Sequence, residues 1–188
     1  MFKKFLGVIL VTLLLATSGY ALEIAGVNMP DTISADNNNL VLNGAGLRTK
    51  FFIKAYIGGL YLQQKSNNAQ AIMNADQPMA VRLVIISKLI TSDKMESAVR
   101  EGFENATNGN IAPIKDKIET FINVFKDPLK INDTFEFVYV PGKGLEIFKN
   151  GAAKKTIPGV DFKKAMFGIW LSDKPAQESL KAEMLGKK

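Results

Sequence analysis

Hydrophobic and polar positions change period along the chain, and each change marks an element. Residues 5–16 form an unbroken apolar run. The next stretch is strand-like: 23–27 is a short candidate strand, and Leu40-Val41-Leu42-Asn43 leads into Gly44-Ala45-Gly46-Leu47-Arg48. Residues 50–62 are aromatic and β-branched enough to predict one long central strand. A short helix is expected at 68–75. A strand follows over 79–87, with Val81, Leu83 and Ile85 on one face.

The period then becomes helical. Met95, Ala98, Val99, Gly102, Phe103 and Ala106 form one apolar stripe. It is entered through Thr91-Ser92-Asp93, where Asp93 and Glu96 have capping-box spacing. After Asn108-Gly109-Asn110, Pro113 stands near a second helix start. Ile114, Ile118, Phe121, Ile122 and Phe125 make its stripe, and Asp127-Pro128 ends it. Strands return at 134–140, 145–149 and 154–157, joined by Pro141-Gly142-Lys143-Gly144 and by Asn150-Gly151, a strong hairpin signal. The end is helical again, with Phe162, Ala165, Met166, Ile169 and Trp170 on one face, then 176–185. Strands, helices, an antiparallel meander and further helices predict an α+β fold: a curved antiparallel sheet covered by a helical layer.

The N-terminal apolar run changes what the first residues mean. Lys3 and Lys4 precede it, and Gly19 and Ala21 supply small residues at a cleavage position. That order fits a secretory signal peptide over 1–21, and the run is shorter than the roughly 20 residues of a membrane span. The expectation is an exported, periplasmic domain over 22–188 with no stable membrane anchor after cleavage, acting as a monomer.

Composition removes whole classes of chemistry. The 188 residues are 47% hydrophobic and 22% charged, the balance of one globular domain. With no cysteine there is no disulfide, thiolate nucleophile or lipoprotein anchor; with no histidine there is no imidazole acid–base pair. Asp31, Asp36 and Asp93 do not make a metal loop, so neither metal nor cofactor is expected. The net charge of +6 is scattered, without the basic run or aromatic array of a nucleic-acid surface.

Several collinear blocks carry a resemblance. They are Gly44-Ala45-Gly46-Leu47-Arg48-Thr49-Lys50 with Lys54-Ala55-Tyr56-Ile57-Gly58-Gly59-Leu60-Tyr61-Leu62, then Phe121-Ile122-Asn123-Val124-Phe125-Lys126, Ile147-Phe148-Lys149-Asn150-Gly151, and Ile169-Trp170-Leu171-Ser172-Asp173-Lys174-Pro175. Over 27–185 the chain resembles the chalcone isomerase-like family, in its bacterial exported branch. The resemblance implies an open-faced β-sandwich whose helical layer holds an apolar cleft. It implies one of two activities: ring closure of a chalcone, or fatty-acid binding with an arginine and a tyrosine on the carboxylate.

Individual positions favour the second. Arg48 matches the family arginine, and its planar, permanent charge suits a carboxylate or an oxyanion. Tyr56 stands where plant isomerases carry threonine and resembles the tyrosine of the fatty-acid-binding members. Lys94 is retained, but Thr91 replaces the isomerase tyrosine, Ala98 the asparagine, and Ala165 or Met166 the late threonine. The flanking Gly44 and Gly46 would allow close backbone approach. Tyr61, five residues beyond Tyr56, is expected on the opposite face. The leading expectation is therefore a non-catalytic binder of a fatty acid or similar apolar carboxylate, held by Arg48, Tyr56 and Lys94. An isomerase or lyase with Arg48 stabilising an enolate is the alternative. A third is a cleft filled by side chains, in a domain that serves a protein partner.

Overall fold

The computed structural model describes residues 22–187. The expected signal peptide, 1–21, lies outside the described residues. An N-terminal hairpin of β1 (Leu22–Ile24) and β2 (Val27–Met29) precedes the main sheet. The single strand expected at 23–27 is thus two, because Ala25 and Gly26 turn the chain at φ +50° and +80°. The main sheet runs in chain order through β3 (Thr32–Ala35), β4 (Asn38–Lys50), β5 (Ile53–Leu62), β6 (Met79–Ile85), β7 (Thr134–Val140), β8 (Gly144–Lys149) and β9 (Ala152–Ile157). All neighbours are antiparallel, and the sheet curls until β3 comes back against β7.

Among the described residues five α-helices accompany it: α1 (Ala69–Asn74), α2 (Ser92–Ala106), α3 (Lys115–Ile122), α4 (Val160–Leu171) and α5 (Glu178–Met184). The helix-side face of the sheet buries Leu60, Val81, Leu83, Phe135 and Phe137 against Phe103, Phe121, Phe125 and Phe162. These rings meet edge-on or tilted, as Phe103 and Phe121 do at 5.7 Å and 89°. α4 is the central helix. Its buried positions include Lys163, Phe167, Gly168 and Leu171 besides the predicted stripe, so from Phe162 on, the exposed Lys164 aside, it is enclosed all round. The other sheet face packs Ile57, Tyr61, Ala80 and Val138 around Met29, with the Tyr61 hydroxyl donating to Pro30 O at 3.0 Å.

Three local expectations are corrected. Residues 50–62 are not one strand: the chain reverses at Phe51-Phe52, both at positive φ (+49° and +65°), and Lys50 pairs with Ile53 across the turn. Aromatic residues favour a strand, but these two are exposed and make no part of a ladder. The cap of α2 is Thr91, whose hydroxyl accepts from Lys94 N at 3.3 Å, while Glu96 accepts from Arg100. The capping box from Asp93 is absent because Asp93 is already inside the first turn. Finally, β3 is a strand the polar run at 31–39 did not reveal.

Two register shifts set the directions of the residues that matter. The shift at Asn43 turns Gly44, Gly46 and Arg48 toward the helices. The extra residue Ala55, opposite the Arg48–Thr49 step, lets Ala55 and Tyr56 face the helices together. The glycines serve a helix rather than a ligand. A Cβ on Gly44 would lie 2.1 Å from Glu183 O, so α5 packs directly on the backbone of β4.

Candidate functional site

Between β4–β5 and α2, a cavity of about 390 Å³ reaches into the core. Its depth is lined by Leu83, Phe121, Phe137 and Trp170, and its mouth by Lys50, Phe51, Leu89 and Lys94. The volume falls within the roughly 300–1,000 Å³ of ligand sites, and the walls are mostly apolar with few polar groups, the usual make-up of such a site. Ala98 lines it from α2, leaving space that a larger side chain would fill. The cleft is open, against the reading in which side chains fill it.

All three expected site residues line this cavity. Arg48 and Tyr56 are direct partners in the β4–β5 ladder. Arg48 is half-buried. Its Nη1 donates to Thr49 O at 2.6 Å and to Gln177 Oε1 at 3.1 Å, and among the described residues no carboxylate pairs with it. Gln177 is the pin that holds it. Its Oε1 also accepts from Thr49 N at 2.8 Å, and its Nε2 donates to Leu47 O at 3.1 Å. The start of α5 is thereby tied to the strand that carries the arginine.

Tyr56 is buried, and its hydroxyl accepts from Trp170 Nε1 at 3.0 Å. Among the described residues nothing accepts the phenol's own proton, which leaves a donor beside a guanidinium in an apolar wall. Burial raises the phenol pKa above its ordinary value; the Trp170 hydrogen bond and Arg48 oppose that only partly. Tyr56 is therefore a neutral donor at physiological pH. Lys94 sits on the exposed side of α2, its Nζ donating to Leu89 O at 2.9 Å, so its charge stands at the mouth and not in the depth.

Three contributors escaped the sequence. Trp170 reads as a core stripe residue, and only its indole N–H marks it as more. Gln177 lies 129 residues from Arg48, and no pattern links them. Lys50 pairs with Glu101 at 3.0 Å, joining the end of β4 to α2 across the mouth; its place inside a predicted strand hid it. The positions where isomerase donors are replaced behave as substitutions to apolar or otherwise engaged groups. Thr91 caps α2, Ala98 offers a methyl group, and Ala165 and Met166 are buried away from the cavity. Among the described residues no group of three or more carboxylates gathers to hold a metal ion.

The sequence profile of chalcone isomerase-like proteins matches residues 21–186, nearly the whole chain. The chain belongs to the chalcone isomerase-like family. No curated protein matches its sequence. Among solved structures, the fatty-acid binding protein AtFAP1 of Arabidopsis thaliana superposes with a TM-score of 0.68 at 18% identity, covering 85% of this chain and 92% of that one. This member of the family therefore shares its fold with a fatty-acid binder, and the α+β, chalcone isomerase-like architecture expected from sequence is the one observed.

Proposed function

We propose that this chalcone isomerase-like protein binds a fatty acid or a similar apolar carboxylate without transforming it. The acyl chain lies in the cavity between sheet and helices, and the carboxylate meets Arg48 and the free phenol proton of Tyr56. Lys94 adds a positive charge where the ligand enters. We propose further that residues 1–21 direct export, so that the binder works in the bacterial envelope.

The observation that carries this reading is the pairing of an arginine without a carboxylate partner and a buried tyrosine donor on one wall of an apolar cavity. A carboxylate would accept from both, which gives bonds stronger than neutral ones. Each methylene buried adds about 0.8 kcal/mol. The fatty-acid binding of a protein with the same fold supports it. The other polar residues of the lining, Lys50, Asp93, Ser97, Glu101 and Asn105, are exposed or half-buried rather than set in the apolar depth. That weighs against chemistry on a polyphenol, which would need several ordered donors there.

Native mass spectrometry and solvent extraction of the purified protein test the proposal. A co-purifying acyl carboxylate, or uptake of one added from solution, is expected. A cavity that stays empty and takes up none contradicts it.

A further inference from the structure

The end of the sheet that carries the cavity mouth is also where apolar side chains leave the protein. Phe51 and Phe52 are 82% and 102% exposed, Leu89 on the β6–α2 loop 55%, and Ile131 ahead of β7 42%. The backbone brings their segments together: Ile86 N donates to Ala55 O at 3.1 Å and Asn132 N to Ile85 O at 2.8 Å. Phe51 and Leu89 line the mouth itself.

Folding does not account for phenylalanine at this turn. Two successive positive φ values favour Asn-Gly, and a bulky residue is strained there without burial in return. Around the apolar tip stand the exposed lysines Lys54, Lys88, Lys94 and Lys130, with Asp93 and Asp127 among them, while Lys50 is already paired. Exposed aromatic and aliphatic side chains within a basic collar match an anionic lipid interface. A second copy of the same collar would be repelled by like charge. Among the described residues no helix is long and apolar enough to cross a membrane, so such contact is peripheral.

We infer that this end of the sheet docks on an anionic lipid surface. Phe51, Phe52 and Leu89 enter the headgroup layer, the lysines meet lipid phosphates, and the cavity mouth faces the acyl chains. The docking stands on the exposed tip; its use, moving an acyl chain between bilayer and cavity, rests on the proposed function.

Sedimentation of the purified protein with vesicles tests it. Vesicles of phosphatidylcholine containing phosphatidylglycerol are expected to carry the protein down, phosphatidylcholine alone far less, and added salt to release it. Phe52→Gly is the informative variant, since Phe52 does not line the cavity and glycine suits its φ. It should partition roughly tenfold or more weakly, with melting and fatty-acid uptake unchanged. Wild type that ignores anionic vesicles, or a variant that binds them equally well, overturns the inference. So does self-association that the variant loses while neither protein binds vesicles. Vesicle binding through Phe52 without fatty-acid uptake keeps the docking and removes the ligand reading; uptake without vesicle binding does the reverse.

Discussion

Trp170 donates to the Tyr56 hydroxyl at 3.0 Å, and that bond decides which way the phenol can act. With its oxygen engaged by the indole and Arg48 standing beside it as a second donor, the hydroxyl keeps its own proton free for an acceptor in the cavity. The helix that closes the core thus orients a donor on the sheet, and the two residues work as one unit.

Trp170→Phe keeps an aromatic ring but removes the N–H and the rest of the buried indole. Losing one buried hydrogen bond and part of a core side chain should cost about 2–3 kcal/mol of stability. Ligand affinity should fall several-fold, because the Tyr56 hydroxyl becomes free to rotate. Urea unfolding and a binding titration followed by native mass spectrometry check both. Unchanged affinity would separate Trp170 from the site. In the wild type the chain's one tryptophan lines the cavity, so its fluorescence should change on ligand uptake.

Ala98→Phe should occupy the cavity from α2. The new ring grows into open space rather than into packed core, so stability should change by no more than about 1 kcal/mol, below the usual cost of overpacking. Acyl binding should drop by at least roughly tenfold, the value of a few displaced methylenes. Thermal melting with a binding titration reads both; a variant that still binds the full acyl chain would move the ligand elsewhere.

Lys163 supplies a pH signature independent of the ligand. Fully buried in α4, its Nζ donates to Ile72 O, Met73 O and Ala75 O at 3.1, 3.0 and 2.6 Å, closing the end of α1. Burial pushes the amine from 10.5 down to about 8, against the pull of Asp76. The folded value lies below the unfolded one, so between about 8 and 10.5 the unfolded chain holds the extra proton. Through this group, stability rises with pH across that interval and is flat below it. Above 10 the buried Tyr56 and Tyr61 and the Asp76-bound Tyr139, all raised, turn the trend downward. Lys163→Met should lose ground against wild type as pH climbs from 8 toward 10, measured by urea unfolding. A difference independent of pH would contradict the assignment.

The sheet order and helical stripes were legible because alternation and the 3.6 period answer directly to burial. Val81, Leu83 and Ile85 do face the helices, and every residue of the 114–125 stripe is buried. What escaped was non-local or conformational. Phe51 and Phe52 have strand-forming side chains, yet their backbone turns at positive φ for reasons no propensity records. Gly44 and Gly46 announced a close approach, but not that α5 makes it. Arg48 and Tyr56 were found through a resemblance, whereas Gln177 and the indole of Trp170, which hold them, are visible only once the chain is folded.

The pairing of carboxylate with Arg48 is the central claim, and a matched pair of ligands tests it most directly. Binding of a long-chain fatty acid and of the alcohol of equal length should be titrated on wild type and on Arg48→Met, with melting as the control for folding. Wild type should prefer the acid, and the variant should lose roughly tenfold or more in affinity for the acid while keeping that for the alcohol. Equal loss for both ligands, or none for the acid, would contradict it.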